Sequence, residues 1–214
     1  ESPGKFCSPH EIDIGGSRVS AKTFIIATGS SPSEVAIPGL SDVDFFTSDT
    51  ILDLRTQPDS LSVLGAGPVA LELGQFFARL GMKVTILQRG RTILSQMDED
   101  VGLALEVALK EDGLEVVTEA QVLRVTCQEG RKSVWVQHHG QERIFTADAI
   151  LQALGRRPNI SGLQLDAAGV DVMEGRIVVD EAMRTSQPHI FAVGDVNDVS
   201  PIVHLAIQQG EIAG

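Results

Sequence analysis

The stretch that decides the fold is LSVLGAGPVALELGQFFARLGMKVTIL, residues 61–87. Its first four residues form a short apolar strand, Gly65-Ala66-Gly67-Pro68 is a glycine turn, and apolar residues then recur with the period of an α-helix up to Leu80. Gly81 ends the helix, because glycine tolerates the left-handed conformation found there. Residues 83–87 are a second apolar strand. The stretch therefore predicts a βαβ unit with parallel strands.

A second helix and further strands follow this unit. Residues 98–112 begin with acidic side chains, which the positive end of a helix favours, and carry Val101, Leu105, Ala108 and Leu109 on one face. Residues 114–117 and 149–154 are short apolar strands. Between them, residues 121–128, 132–138 and 143–147 alternate between polar and apolar side chains. The pattern predicts an α/β, doubly wound, Rossmann-like sheet with an antiparallel β-meander.

The flanks of this region predict a second sheet. Residues 5–14 and 18–21 alternate around Gly15-Gly16 and predict a hairpin. The apolar runs 24–27 and 190–193 each end in a glycine turn, which is typical of strands buried on both faces. Residues 31–40 predict an irregular surface connection, residues 177–180 a strand, and residues 202–214 a helix. The domain boundaries that we predict are 1–50, 51–158 and 159–214, with the outer two segments forming one domain.

Composition narrows the function classes. A net charge of −12 disfavours nucleic acid as a partner, because the chain repels phosphate backbones. The apolar runs are too short to span a membrane, and no basic, apolar leader opens the sequence. Cys7 and Cys127 are far apart and belong to no Cys/His cluster, which excludes a local dithiol and predicts no metal site. These features predict a cytoplasmic protein with reduced thiols.

The glycine turn carries the main functional signal. Gly65-Ala66-Gly67-Pro68-Val69-Ala70 has the Gly-x-Gly-x-x-Ala form, in which the first glycine makes the tight bend and the second lets a pyrophosphate approach the backbone. Its phosphates would lie at the helix N-terminus, where free N–H groups and the helix dipole favour negative charge. Because the turn lies inside a βαβ unit, it predicts a dinucleotide site. The alternative is a tight turn that binds nothing.

The end of the next strand predicts which dinucleotide binds. Gln88 occupies the position where an acidic residue would accept a hydrogen bond from the adenosine ribose and repel a 2′-phosphate. Gln88 is neutral, and the guanidinium groups of Arg89 and Arg91 follow it. Guanidinium groups suit a phosphate, so this loop favours NADPH over NADH. The alternative is that both arginines are solvated surface charges.

At this point the chain resembles the pyridine nucleotide-disulfide oxidoreductases, and within that family its mercuric reductase and dihydrolipoamide dehydrogenase branches. The resemblance rests on motifs in order along the whole chain: Ala27-Thr28-Gly29, the glycine turn with Glu72, Leu154-Gly155-Arg156-Arg157-Pro158-Asn159, and Phe191-Ala192-Val193-Gly194-Asp195. It implies that segments 1–50 and 159–214 are parts of an FAD-binding domain and that 51–158 is the NAD(P)-binding domain.

The resemblance also implies roles for single residues. Thr28, Gly29 and Ser30 would line the FAD, Asp195 would hydrogen-bond its ribityl chain, and residues 201–204, ending in His204, would pass beside the isoalloxazine. Glu72 would help to seat the nicotinamide as a candidate catalytic residue, although its family partner, a lysine, is not in this chain. The residues implied to contact the nicotinamide dinucleotide are Gly65, Ala66, Gly67, Pro68, Val69, Ala70, Glu72, Gln88, Arg89, Val122 and Gly155.

The expected reaction is the family's transfer of hydride from NAD(P)H to FAD and of electrons to a disulfide or metal-ion acceptor. The sequence lacks the family's first FAD-binding glycine turn, its redox cysteine pair and its C-terminal dimerisation domain, so we expect an internal segment of a longer protein. We expect the segment alone to be inactive and monomeric and the longer protein to be a homodimer. The alternatives are an NADH oxidase-like or transhydrogenase-like flavoprotein without a redox disulfide, and a non-catalytic nucleotide-binding module.

Overall fold

The computed structural model of the chain describes residues 2–214, which fall into two compact units. The split unit combines the residues up to Ser31 with Arg156–Gly214, and the continuous unit is Pro32–Gly155. The split unit thus consists of two chain segments that flank the continuous unit in sequence. Among the described residues, no helix has both the length and the apolar character that crossing a membrane would require.

The secondary-structure elements alternate along the chain. The strands are β1 (Gly4–Ser8), β2 (Glu11–Ile14), β3 (Ser17–Ser20), β4 (Phe24–Ile26), β5 (Ser30–Pro32), β6 (Ser60–Leu64), β7 (Lys83–Leu87), β8 (Glu115–Val117), β9 (Ala120–Gln128), β10 (Arg131–His138), β11 (Gln141–Ala147), β12 (Ala149–Gln152), β13 (Arg156–Pro158), β14 (Val172–Met173), β15 (Arg176–Ile177) and β16 (Ile190–Ala192). The α-helices are α1 (Pro68–Arg79), α2 (Glu99–Glu111), α3 (Leu165–Ala168) and α4 (Val203–Ala213), and 3-10 turns lie at Ile51–Asp53 and Gly194–Asn197.

The continuous unit is built on a parallel sheet with the strand order β12-β6-β7-β8. The order β6, α1, β7, α2, β8 along the chain confirms the βαβαβ prediction. Strand β12 pairs with the other edge of β6, with Ala149 opposite Leu61 and Gln152 opposite Leu64. The side chains of Leu61 and Val63 are fully buried, because a parallel sheet is covered on both faces.

The residues that helix α2 buries differ from those predicted. Leu109 is buried as expected, but Val101 is 45% exposed. The reason is Gly102, where a Cβ atom would lie only 2.7 Å from the carbonyl oxygen of Ile93. The missing side chain lets the helix approach the preceding loop closely at residue 102, so the adjacent Val101 turns toward solvent.

The meander β9-β10-β11 is antiparallel, as predicted. Val134 and Val136 alternate along β10 with more exposed residues and are fully buried, which is the period-two pattern of a sheet with one covered face. A register shift in β9 places Val122 opposite Val136. The meander forms a second apolar core of the continuous unit together with Leu87 and Ile150 of the parallel sheet.

The compact units divide after Ser31 and after Gly155, whereas the domain boundaries predicted from the sequence lie after residues 50 and 158. Residues 32–50 pack into the continuous unit instead. Leu40 is 3% exposed in the second core, and Phe46 adds to the parallel sheet by donating its N–H to Ile150 O at 2.8 Å. Residues 33–40 are irregular, as their proline and glycine content predicted, but the predicted surface position is wrong for Leu40, which is buried.

The split unit contains the sheet β1-β2-β3 and the parallel pair β16-β4, in which Ile190 lies opposite Phe24. Residues 5–14 were predicted as one arm of a hairpin, but they turn at Pro9-His10 and form two strands. The prediction that residues 24–27 are buried on both faces is also wrong, because Ile25 is 49% exposed while Ile26 is buried. Residues 177–180 contribute only Ile177 to a strand.

Candidate functional site

The glycine turn of the continuous unit requires glycine at its first position. Gly65 has φ +100°, and a Cβ atom there would lie 2.6 Å from the carbonyl oxygen of Ala153. The Gly65 N–H donates to Leu87 O at 2.9 Å, so the turn closes directly over the end of β7. The side chain of Leu154 comes within 3.3 Å of the same Cβ position. The structure thus brings the segment before Gly155 against the glycine turn.

The second glycine opens a space at the start of α1. Gly67 is the N-cap of the helix with φ −79°, and a Cβ atom there would meet no atom within 4 Å. Pro68 is the first helical residue, where its missing N–H is not needed. Ala70 is fully buried, which shows why a small residue is required where helix and strand pack together. A helix N-terminus with open backbone at Gly67 fits the diphosphate of a dinucleotide.

Neighbouring residues of the motif hold the turn in place. Ala66 is 2% exposed, and its carbonyl oxygen accepts the N–H of Leu94 at 3.0 Å. Val69 is half-buried. This burial and this hydrogen bond hold the turn while the space beside Gly67 stays open.

The loop after β7 holds the residues predicted to distinguish the two nucleotides. The Gln88 side chain is half-buried, and its Nε2 atom donates to Thr92 O at 3.1 Å. Arg89 is exposed, with no hydrogen bond or ion pair in the part of the chain that the structure describes. Arg91 is not equivalent to it, because its Nε atom lies 3.6 Å from Oε1 of Glu119. Nothing in the sequence around the loop indicates this pairing.

The other residues predicted to contact the nicotinamide nucleotide lie in different surroundings. Glu72 is exposed on α1, and Val122 is half-buried in β9. Gly155 has φ +106°, and its carbonyl oxygen accepts the N–H of Ser33 at 2.9 Å. Gly155 follows the segment that contacts Gly65, whereas no side-chain hydrogen bond links Glu72 to the glycine turn within residues 2–214.

In the split unit, Thr28 and Asn159 join the two chain segments. Thr28 Oγ1 donates to Asn159 O at 2.8 Å, and Asn159 Nδ2 donates to Thr28 O at 3.0 Å. The backbone N–H of Asn159 also donates to Gly29 O at 2.8 Å. The conformation of the Thr28-Gly29-Ser30 turn is therefore set by a residue 131 positions away from Thr28.

Ser30 connects this turn to Asp195. Its hydroxyl donates to Asp195 Oδ2 at 2.7 Å and accepts a hydrogen bond from Arg156 Nε at 2.8 Å. Arg156 also donates to the carbonyl oxygen of Ser30 at 2.7 Å. One oxygen of the Asp195 carboxylate is thus held by the protein. Oδ1 accepts no hydrogen bond from the described residues and is left to accept one from a hydroxyl group.

A buried amide network holds the turn that carries Asp195. Gln209 of α4 is 6% exposed, and its Oε1 atom accepts the N–H of Gly194 at 2.7 Å and Nδ2 of Asn197 at 3.0 Å. Asn197 is 1% exposed and also donates to Ala192 O at 3.0 Å. Sequence reasoning missed Gln209, Asn197 and the serine-binding role of Arg156, because nothing local to each residue reveals a partner so distant in sequence.

These turns surround a cavity of about 410 Å³ at the carboxyl ends of β4 and β16. Gly29 and Ser30 line one side, Gly194 and Asp195 another, and Ala206 of α4 completes the wall. Gly29 has φ +69°, and a Cβ atom there would meet nothing within 4 Å, so its backbone is open to a ligand. The cavity with its glycine walls and carboxylate fits part of a hydroxyl-bearing cofactor such as FAD. His204 is exposed on the first turn of α4 and does not line it.

Metal binding is not apparent in residues 2–214, which contain no group of three or more histidine, cysteine, aspartate or glutamate side chains able to hold an ion. The sites described above are therefore built from glycine turns, hydroxyls, one carboxylate and amides.

Comparison with known proteins identifies similar sequences over nearly the whole chain. Mercuric reductase of Bacillus cereus is 39% identical over 210 residues, a match that covers 98% of this chain and 33% of that protein. Mercuric reductase of Shigella flexneri is 42% identical over 205 residues, covering 94% of this chain and 36% of that protein. Dihydrolipoyl dehydrogenase of Bacillus subtilis (strain 168) is 37% identical over 194 residues, covering 90% and 42%.

Solved structures agree as well. The HOCl-induced flavoprotein disulfide reductase RclA from Escherichia coli matches with a TM-score of 0.88 at 27% identity, over 98% of this chain and 48% of that one. The chain spans about a third of the length of the mercuric reductases that it matches. Residues 1–210 match the family described as pyridine nucleotide-disulphide oxidoreductase. The resemblance expected from the glycine turns is confirmed, and the chain belongs to the pyridine nucleotide-disulphide oxidoreductase family.

Proposed function

We propose that this chain is the NAD(P)-binding core, with part of the flavin site, of an FAD-dependent oxidoreductase. When bound, the cofactors supply hydride transfer from NAD(P)H to FAD, and electrons then pass to a disulfide or metal-ion acceptor. The observation that carries the proposal is the open backbone at Gly67, at the N-terminus of α1 and after a first glycine whose positive φ and close approach to Ala153 O disfavour any larger residue. A tight turn that bound nothing would not need open space at its second glycine.

Each site has a defined task in this proposal. The backbone from Gly65 to Val69 binds the diphosphate, and Gly155 lies at the strand end beside it. In the split unit, Thr28, Gly29 and Ser30 border the flavin, and the free Oδ1 atom of Asp195 accepts a hydrogen bond from a ribityl hydroxyl. Ser30 and Arg156 orient that carboxylate, since the serine hydroxyl donates to Oδ2 while it accepts from the guanidinium.

Three further residues take roles by family resemblance. Glu72 would help to seat the nicotinamide, and its exposure on α1 leaves it accessible to a partner outside this chain. Val122 would contact the dinucleotide from β9, and His204 would lie near the isoalloxazine.

NADPH is the proposed nucleotide, although the loop after β7 contributes only one unpaired guanidinium. A charge-assisted hydrogen bond from Arg89 to a 2′-phosphate is worth about 1.5–3 kcal/mol, or about ten- to a hundredfold in affinity. The mercuric reductase relatives favour a metal ion as the acceptor, and the dihydrolipoyl dehydrogenase relative favours a disulfide. A flavoprotein without a redox disulfide, of the NADH oxidase or transhydrogenase type, is the second candidate function.

Titration calorimetry of the chain with NADPH and NADH at low salt tests the nucleotide site. We expect tighter binding of NADPH, and we expect Arg89→Ala to remove most of the difference because it deletes the phosphate contact. Arg55→Ala is the control, since Arg55 is an exposed arginine of the same unit that does not belong to this loop. Preference for NADH in the wild type, or an unchanged ratio in Arg89→Ala, would show that Arg89 does not read the phosphate.

The visible spectrum of the purified full-length protein tests the flavin site. We expect a flavin absorption band, and a colourless full-length protein would instead favour the non-catalytic nucleotide-binding module. We further propose that the chain alone is monomeric and without turnover, that the full-length protein is a dimer, and that both work in the cytoplasm. In the chain as described, Cys7 and Cys127 are both free thiols, which is compatible with that compartment.

A further inference from the structure

An ion pair links the loop after β7 to the start of the meander. Two backbone hydrogen bonds fix this juxtaposition: Glu119 N–H donates to Gly90 O and Ala120 N–H donates to Gln88 O, both at 2.9 Å. Glu119 therefore has a defined position beside the loop that carries Arg89 and Arg91. Its backbone is in the left-handed region with φ +53°, a conformation that few residues other than glycine adopt without cost.

The Glu119 carboxylate faces two basic side chains. Its Oε1 atom lies 3.6 Å from Arg91 Nε, and its Oε2 atom lies 3.7 Å from Nδ1 of His139. The Arg91 side chain is 89% exposed, and its guanidinium makes no other ion pair or hydrogen bond with the described residues. The loop thus presents Arg89, which is unpaired, and Arg91, which the Glu119 carboxylate holds.

We propose that Glu119 is a specificity-determining residue, which competes with the 2′-phosphate of NADPH for Arg91 and so limits the preference of this site for NADPH over NADH. The inference rests on the proposed nucleotide site and adds a residue that the local sequence around Gln88 does not contain. A carboxylate at this position weakens the binding of NADPH in two ways. It neutralises one of the two guanidinium groups of the loop, and it repels the phosphate directly.

The test compares calorimetric affinities of the chain for NADPH and NADH in the wild type and in Glu119→Gln. Exposed ion pairs are weak, so we expect the affinity ratio to move toward NADPH by about two- to fivefold. Glu119→Gly is a second variant, because glycine adopts the positive φ of this position without strain and should give the same shift. A ratio that is unchanged, or that moves toward NADH, in both variants overturns the inference.

Glu129→Gln is the matched control. Glu129 is also an exposed glutamate with positive φ, +51°, but it follows the far end of the nine-residue strand β9, about 27 Å from Ala120 at about 3.4 Å per residue. It should leave the ratio unchanged, and an equal shift in this variant would mean that only the net charge of the chain matters, which overturns the inference.

Arg91→Ala separates competition for the arginine from simple repulsion. In that background Glu119→Gln should have a smaller effect, because no guanidinium remains to be released. An undiminished effect would overturn the assignment of Arg91 as the group that Glu119 withholds. Wild-type chain that binds neither nucleotide would overturn the proposed function and this inference together, whereas binding of both with no response to Glu119 overturns the inference alone.

Discussion

Substituting alanine at Gly65 and at Gly67 should separate folding from ligand binding within one turn. At Gly65 an alanine would have to adopt φ +100°, which costs an L-residue about 1–2 kcal/mol. Its Cβ atom would also lie 2.6 Å from the Ala153 carbonyl oxygen, and relieving such an overlap with packed backbone costs about 1–3 kcal/mol. We therefore expect Gly65→Ala to lower the free energy of unfolding by about 2–5 kcal/mol.

Gly67→Ala, in contrast, should leave the stability of the fold nearly unchanged and weaken nucleotide binding. Its φ of −79° suits any residue, and its Cβ atom would meet nothing within 4 Å. The poorer N-cap preference of alanine and the smaller entropy of its unfolded chain are each worth about 0.5–1 kcal/mol and nearly cancel. The new methyl group stands where a diphosphate would approach. Loss of one charge-assisted backbone hydrogen bond would weaken nucleotide binding by about ten- to a hundredfold.

Urea unfolding followed by circular dichroism measures the first effect, and titration calorimetry with NADPH measures the second. The wild type and both variants should be run in the same buffer, and binding should be measured only where the protein is folded. Unchanged stability of Gly65→Ala would refute the steric argument. Wild-type affinity in Gly67→Ala would refute the assignment of Gly67 as the point of phosphate approach.

The remaining predictions concern the ribose position, an ion pair and a buried amide. Gln88→Glu should shift nucleotide preference toward NADH, because a carboxylate repels a 2′-phosphate. The new side chain must first turn away from the Thr92 carbonyl oxygen, which the amide of Gln88 contacts at 3.1 Å. A calorimetric ratio of NADPH to NADH affinity equal to that of the wild type would contradict this. The hydrogen bond from Ser60 and the nearby charge of Arg131 lower the pKa of Asp148 from its usual 3.8. The ionised form of Asp148 therefore stabilises the fold above pH 3.8, and this contribution disappears as the pH falls below that value. Asp148→Asn should therefore lower the urea midpoint at pH 7 and approach the wild type near pH 3, and an equal gap at both pH values would argue against the shift. Gln209→Leu should cost about 1–3 kcal/mol of stability, because it leaves the buried Gly194 N–H without an acceptor. Gln208→Leu, at an exposed position of the same helix, should not have this effect. Equal unfolding midpoints for these two variants would disprove the role of the Gln209 amide.

The sequence predicted the parts of the fold whose signals are periodic and local. The strand, glycine turn and helix of residues 61–87 are recognisable from spacing alone, and the observed helix, Pro68–Arg79, ends one residue before the predicted Leu80. The meander was predictable for the same reason, because its alternating residues have a period of two.

The errors in the fold arise where tertiary packing determines burial. The helical period of α2 identified a helix but could not show that Gly102 would be its point of closest approach. Likewise, Leu40 is buried in a core whose members lie far along the chain, from Leu64 to Ile150, and the N–H of the half-buried Phe46 donates to Ile150 O. Composition alone described that segment as a connector.

The glycine turns of the candidate site could be named from the sequence, whereas the side chains that distant segments bring beside them could not. Gly65, Gly29 and Gly194 could be named because a glycine that soon follows an apolar strand indicates a tight turn, and Gly67 because it completes the Gly-x-Gly spacing. Glu119 could not, because its closeness to Arg91 depends on the backbone pairing between the loop after β7 and the start of β9.

The division of the split unit has a consequence for how the chain folds. Strand β4 must wait for β16, since contacts such as Ser30 with Asp195 join residues 165 positions apart, and the entropic penalty of closing a loop rises with its length by about 0.6 kcal/mol per doubling. The continuous unit, in contrast, has all its partners in one stretch and can fold first, seconds earlier during synthesis at about 5–20 residues per second. Once folded, it holds its own ends together, because Ser33 N–H donates to Gly155 O at 2.9 Å. The loop between the two segments of the split unit is then effectively short, so the folded continuous unit lowers the entropic barrier to forming the split unit.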